Sequence, residues 1–387
     1  MKGENIMLKV GVIGIGNTGN QVATLAMNEL KIPVLAINSS EKDLETVPDS
    51  VPKKLISGAK GLSQGAGKNR SLAKSYLKDS IMKVLSSDDI NSFLNDNDII
   101  FIISSTGGGT GSGTAPLLAS IIKSAYLDTK VILIGVLPVN NEALSAHVNT
   151  LEYLTELYSV LENQTYMLYD NDKYAKLPSY LMMEKVNREI VEDINVIRCT
   201  YNLTTRFDSI DEQDMMRLVS FPGRIVVSRL EKIQEKDIDG KSIEDMLIDN
   251  LKTNSHTELQ RDRKVIASGI ITNLSQTLTE SFDNHIPKVR EFVGDPVHDF
   301  NHIFINEDRK LPNNVFLILS GLTRVNDKIN KITDRIAEIE DSQKVNDDDD
   351  VLSEIDVNAL SGMVSSNDLS KTKSETVDIK GIFDKFM

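Results

Sequence analysis

The sequence predicts an α/β chain: a parallel-sheet domain, a long central helix, a smaller α+β domain, a long C-terminal helix and a disordered acidic tail. Three observations carry that prediction. Apolar, β-branched runs alternate with helical patterns from about Lys9 to Arg198, as in a parallel sheet covered by helices. Past Arg206 the alternation breaks into strand-like runs around one clear helical segment. Beyond Gly321 a narrow apolar stripe gives way to a charged end poor in aromatics.

Taken in order, residues 10–15 read as the first strand, 19–30 as a helix and 34–38 as the second strand. Residues 57–70 hold four glycines and three basic residues; such a loop either folds over a bound anion or is a plain surface connection. Strands follow at 98–105, 131–137 and 166–169, with a helix at 114–126. After Asn141, the positions Leu144, Val148, Leu151, Leu154, Tyr158 and Leu161 recur at helical spacing, which buries one face. Residues 1–177 therefore form the first domain and 178–200 the central helix. The second domain, 201–321, has strands at 224–230, 264–272 and 314–320 and a helix at 242–253. Leu322, Val325, Ile329, Ile332, Ile336 and Ile339 mark the long helix 322–341; such a stripe docks on the chain's own body more often than on a neighbouring subunit. The run Asp347 to Asp350 sits in the tail 342–387, which reads as disordered.

Composition sets limits. Of 387 residues, 40% are apolar and 26% charged, ordinary for a globular chain. No apolar run approaches the roughly 18 residues of a membrane span, and the N-terminus lacks a signal peptide's apolar core, so a cytoplasmic protein without a direct membrane partner is expected. Cys199 is the only cysteine, which excludes an intramolecular disulfide or a cysteine-based zinc site. A net charge of −14 argues against direct sheathing of nucleic acid, where cations must replace counterions. A DNA partner would need an adaptor.

The most telling stretch is Gly107-Gly108-Gly109-Thr110-Gly111-Ser112-Gly113, between the strand at 98–105 and the following helix. Glycines at such a turn let backbone N–H groups converge, and the helix N-terminus adds positive potential. A phosphate chain is the natural ligand. The Walker pattern G-x-x-x-x-G-K-[ST] is absent, so this is not an ordinary P-loop. A second glycine turn, Gly14-Ile15-Gly16-Asn17-Thr18-Gly19, fits G-x-G-x-x-G, but the second strand ends in Asn38-Ser39-Ser40, without the acid that a dinucleotide site places on the ribose. An NAD-dependent enzyme is thus the remoter alternative. Two glycine turns on separate strands suit a longer phosphate chain.

Together these turns resemble the tubulin/FtsZ superfamily of GTP-dependent filament proteins. The glycine heptad is that family's signature, and Gly16-Asn17-Thr18-Gly19-Asn20-Gln21-Val22 is closer to tubulin's G-Q-C-G-N-Q-I than to the glycine run of FtsZ. The resemblance implies GTP or GDP with Mg²⁺ as ligands, with no metal-ligating side chain assigned. It implies that Gly16, Asn17, Thr18, Gly107, Gly108, Gly109, Thr110, Gly111 and Ser112 face phosphates, and that Gln21 and Glu142 lie near the ribose. Asn171 and Asn187 match the asparagines that read guanine, and Met183 stands where FtsZ stacks an aromatic. The arginine that FtsZ places four residues after the ribose acid is replaced by Ala146 and His147. Asp208 and Asp211, in Phe207-Asp208-Ser209-Ile210-Asp211-Glu212-Gln213-Asp214, resemble the catalytic D-x-x-D loop that a neighbouring subunit inserts into the site. An alternative for this acidic stretch is a helix N-terminus complementing its dipole.

The implied activity is GTP hydrolysis at head-to-tail contacts in a dynamic filament. The tubulin-like first turn and the stripe-bearing helix look most like the TubZ branch of plasmids and phages, which moves DNA through a DNA-binding adaptor. An FtsZ-type division protein is the nearest alternative: residues 377–386 carry Asp-Ile followed by an aromatic, though without proline or a basic run.

Overall fold

A computed structural model describes residues 8–58, 65–85, 87–161, 163–199, 205, 207–259, 265–307, 311–347 and 379–387. The first domain runs β1 (Val10–Ile15), α1 (Gly16–Leu30), β2 (Val34–Asn38), α2 (Glu41–Glu45), β3 (Lys53–Leu55), α3 (Arg70–Leu85), α4 (Asp88–Asn95), β4 (Ile99–Ser105), α5 (Thr110–Ala125), β5 (Lys130–Leu137), α6 (Leu144–Ser159) and β6 (Thr165–Asp170). The central helix α7 (Ser179–Cys199) leads to α8 (Glu212–Leu218), β7 (Gly223–Leu230), α9 (Ile243–Thr253), β8 (Ala267–Leu274), α10 (Gln276–Glu280), α11 (Pro287–Val293), β9 (His298–Ile305) and β10 (Asn314–Leu322). Two further helices, α12 (Asn326–Asp347) and α13 (Ile379–Phe386), complete the described chain.

The two domains share one sheet, ordered β3-β2-β1-β4-β5-β6-β7-β10-β8-β9. Pairing is parallel from β3 through β7, antiparallel on both sides of β10, and parallel again between β8 and β9. The seam is short: Thr165 and Tyr166 of β6 meet Gly223 and Arg224 of β7. Strands β1 and β6 are buried along their whole length, which is why their runs carry no polar alternation. One core lies between the sheet and α1 and α7. A second lies under α3, α5 and α6 on the other face, and a third fills the second domain.

The central helix is anchored through its C-terminal third. Arg198 near its C-terminus donates Nη1 to the carbonyl of Leu30, the last residue of α1, at 2.7 Å. Asp193 is buried and accepts from Tyr169 (2.7 Å), contacts His256 Nε2 (2.9 Å) and pairs with Arg229 Nε (2.7 Å), which ties α7 to the second domain. Helix α12 docks on the chain's own body: Val325 and Ile332 are buried, with Ile329 and Ile336 packed beside them. Its Lys328 reaches Asp170 (2.9 Å) and Asp172 (2.8 Å) at the end of β6.

Several elements differ from the sequence expectations. Helix α3 begins inside the glycine-rich connection at 57–70; it buries Arg70, Lys74 and Ser80, and these polar residues mask its apolar face. Strand β9 is an edge strand with mostly half-buried positions. Helix α12 runs past 341 to Asp347. The disorder expected over 348–378 falls outside the described residues, and the last part of the expected tail is instead a helix. Ile382, Phe383 and Phe386 fall on one helical face, and Phe383 and Phe386 find apolar cover and become buried.

Candidate nucleotide site

The two glycine turns meet. Gly16 adopts φ +73°, and a Cβ there would lie 3.3 Å from the backbone nitrogen of Gly111. A Cβ on Gly19 would strike the carbonyl of Ile103 at 2.1 Å, so glycine is what lets α1 close onto β4. Both helices that spring from these turns are bare at the N-terminus. Neither α1 nor α5 has a side-chain cap or an acidic residue in its first turn, whereas α8 and α9 each have a full capping box. Unanswered N–H groups and two aligned helix dipoles over one crevice make an anion site.

Other loops close around it. Ser39, at the end of β2, shares a 2.6 Å hydrogen bond with the Thr110 hydroxyl. Lys68 and Asn69 press on Gly109, where a Cβ would meet their backbone at 2.8 Å. The Asn149 amide donates to the carbonyls of Lys68 (2.9 Å), Gly107 (3.2 Å) and Gly108 (3.1 Å). The Ser112 hydroxyl donates to the Gly108 carbonyl, so this side chain shapes the loop and the backbone is left for a ligand. Residues 65–69 of the glycine-rich connection thus lie against the heptad; 59–64 fall outside the described residues.

Asn17 and Gln21 lie one turn apart on α1, exposed, with Gln21 Nε2 donating to Asn17 Oδ1 at 3.3 Å; Thr18 is half-buried between them. Glu142, in the β5–α6 loop, is half-buried and accepts from the Val139 N–H at 3.2 Å. Asn171 follows β6, and its Oδ1 is shut from solvent with no protein partner. Its neighbour Asp172 accepts from the Asn140 N–H at 2.7 Å, which joins the loops after β5 and β6. On α7, Asn187 is buried one turn beyond Met183, which is 40% exposed.

All these residues sit at the carboxyl ends of the parallel strands or on the helices that start there, as ligand sites in such sheets do. Sequence reasoning did not name Asn20. It is buried with both amide atoms unpartnered, a state that a ligand would relieve. Ser39, Lys68 and Asn149 were missed too, because they act by shaping the glycine loop.

Asp208 and Asp211 are not brought to this crevice. They follow the C-terminus of α7 in the chain, and the loop that holds them lies against β9 through Ile303 and His302. The 21 residues of α7 put about 30 Å between the ends at 1.5 Å per residue. Asp208 is exposed, its backbone carbonyl accepting from the Ile303 N–H at 3.0 Å. Asp211 caps α8: Oδ1 accepts from the Asp214 N–H at 2.8 Å. The dipole-complementing alternative is therefore present in the fold. The second carboxylate oxygen of Asp211 takes no part in that cap, and Phe207 beside the acids is 60% exposed.

The residues fit a triphosphate, since the crevice offers bare amides and open space at Gly108, where a Cβ would meet nothing nearer than 4.0 Å. Among the described residues no group of three or more His, Cys, Asp or Glu could hold a metal ion.

Fold and crevice together define a nucleotide-binding α/β protein. Residues 9–178 match the family model described as Tubulin/FtsZ family, GTPase domain. GTP or GDP with Mg²⁺ are that family's ligands. The tubulin-like protein CetZ of Pyrococcus horikoshii is 30% identical over 187 residues, covering 47% of this chain and 50% of that protein. The chain therefore spans about half the length of the curated relative it matches. Over nearly the whole fold it is similar to TubZ of Clostridium botulinum phage c-st, with TM-score 0.69, 19% identity, and 86% of this chain and 98% of that chain covered. It is equally similar to a GTPγS-bound protofilament of CetZ2 from Haloferax volcanii, with TM-score 0.70, 17% identity, and 87% and 100% covered. The TubZ branch is not singled out.

Proposed function

We propose that this chain is a GTPase that assembles head to tail in the cytoplasm and hydrolyses GTP only where two subunits meet. One observation supports the reading: the glycine turns open α1 and α5, whereas Asp208 and Asp211 follow the C-terminus of α7, the end that Arg198 ties to the last residue of α1. A single chain cannot unite them. Stacking a second copy places Asp208 and Asp211 over the first copy's crevice, where two carboxylates polarise and orient the attacking water. The bare amides of α1 and α5 hold the phosphates and take up charge as the terminal group leaves. Bound Mg²⁺ would supply further neutralisation between the phosphate oxygens. Asn171 and Asn187 offer the donor and acceptor pairs that a guanine edge requires.

An NAD-dependent reading is disfavoured by Ser39, which stands where a ribose-binding acid would and is engaged with Thr110. The cellular role we attach to the filament is DNA segregation through a basic DNA-binding adaptor. Its supports are the net charge of −14 and the tubulin-like first turn at residues 16–22. The test is sedimentation with GTP and Mg²⁺ at micromolar concentration, read beside phosphate release. Polymer and turnover should appear at a common threshold concentration, and turnover per molecule that stays constant through a thousandfold dilution refutes the reading.

A further inference from the structure

The last nine residues fold back onto the first domain, against α3 and α5. Helix α13 packs on α5, burying Phe383 and Phe386 within the core that also holds Leu77 and Ile81 of α3. Ile382 is half-buried beside them, while Asp384 and Lys385 face solvent. Two lysines of α3 grip the helix. Lys78 Nζ lies 5.8 Å from the centre of the Phe383 ring, within cation–π range. Lys74 Nζ, nearly buried, donates to the Phe386 carbonyl at 2.5 Å, answering one of the carbonyls a helix C-terminus leaves open.

The same lysine belongs to a chain of contacts that ends in the glycine heptad. Lys74 pairs with Glu156 at 2.6 Å, and Glu156 pairs with Arg70 Nη2 at 2.6 Å. Arg70, 4% exposed, donates from that Nη2 to the Ser112 carbonyl at 2.9 Å, and its backbone presses on Gly113, where a Cβ would come within 2.6 Å. One carboxylate thus serves two nearly buried cations, one holding the heptad and the other holding α13. Loss of α13 would open Lys74 and Glu156 to water, weaken the pairing of Glu156 with Arg70, and loosen the loop that Arg70 holds.

We propose that the groove between α3 and α5 is a helix-binding site whose occupant is the chain's own C-terminal helix, and that its occupancy is linked through Glu156 to nucleotide binding. The linkage rests on the nucleotide reading above; the occupancy does not. Coupling of this kind is reciprocal: a docked tail tightens nucleotide binding, and bound nucleotide tightens the tail. Docking also withholds the Phe383 and Phe386 ridge from any other partner.

The test uses the full chain below its assembly concentration, with GDP as the probe. Amide exchange over 379–386 should be slowed without nucleotide and slowed further, about 5-fold, when GDP is added. Phe383→Ala with Phe386→Ala should abolish that protection and weaken GDP binding by about 5-fold. In a Glu156→Gln background the tail substitutions should no longer change GDP affinity. Unprotected amides over 379–386 in the wild-type protein overturn the groove assignment. Unchanged GDP affinity in the tail variant overturns the linkage. Protected amides in a protein that binds no GDP refute the nucleotide reading and the linkage with it, and support the groove assignment.

Discussion

Asp211 has two physical roles open to it, and substitution can separate them. Its Oδ1 caps α8 through the Asp214 N–H, and under the proposed mechanism its charge acts on the neighbour's nucleotide. Asparagine caps a helix nearly as well as aspartate, whereas alanine at such a position costs about 1 kcal/mol. Asp211→Asn should therefore leave stability within a few tenths of a kcal/mol and lower GTP turnover by about 100-fold or more, the range for removing a positioned general base. Asp211→Ala should show the same loss of turnover and, in addition, a melting point lower by about 2 °C. Asp208 is exposed and caps nothing, so Asp208→Ala should cost less than about 0.5 kcal/mol and still lose turnover. The assay is phosphate release from a fixed mass of pelleted polymer, so that chemistry is read apart from assembly, with a thermal melt of each variant. An Asp211→Asn protein with wild-type turnover and an Asp211→Ala protein that differs only in melting point would reduce this residue to a cap.

Phe207 is 60% exposed beside the acid loop, so Phe207→Ala should raise the threshold concentration for assembly about 10-fold, about 1.4 kcal/mol per contact; sedimentation across a concentration series checks this, and GDP affinity should stay unchanged. Gly109→Ala puts a Cβ 2.8 Å from the Lys68 backbone, so calorimetry should show GTP binding weakened by at least about 10-fold, the cost of a forced backbone shift of 1–3 kcal/mol. Burial alone would lower Lys328, but Asp170 and Asp172 outweigh it and hold the ammonium above the ordinary lysine value of 10.5. A base raised in the fold stabilises fully below its unfolded value and loses that contribution as pH rises through its folded value. Exchange protection of α12 should therefore hold up to about pH 10 and fall above it, and Lys328→Met should remove that dependence.

What the sequence made legible follows from how much each feature depends on local pattern. Strands β1, β4 and β5 are buried on both faces, so their apolar runs announce them, and the heptad sits between a strand and a helix where only glycine lets α5 begin bare. Helix α3 was hidden because its buried face carries Arg70 and Lys74, whose partners Glu152 and Glu156 lie far along the chain. Asn149 was equally illegible: a helical asparagine gives no sign that it will gather three carbonyls of two separate loops. The placement of Asp208 and Asp211 came from family resemblance; that they stand a helix length from the cradle is a property of α7, which no motif states.

Under the proposed mechanism, the opposition of the two half-sites also decides what kind of assembly can form. A two-fold dimer pairs a surface with itself, so it would set cradle against cradle or acid loop against acid loop, and neither contact completes a site. Only a heterologous contact, one subunit's acid end on the next subunit's cradle end, is productive. Such a contact uses each surface once and leaves one of each free, so every addition regenerates the surface for the next. Since α7 and α1 run in the same direction and are joined at their far ends, the two surfaces face away from each other along the helix axis. Under the proposed mechanism the chain of subunits would then extend without closing into a small ring, and the terminal cradle, lacking a donor of acids, would keep its GTP while interior nucleotides were hydrolysed.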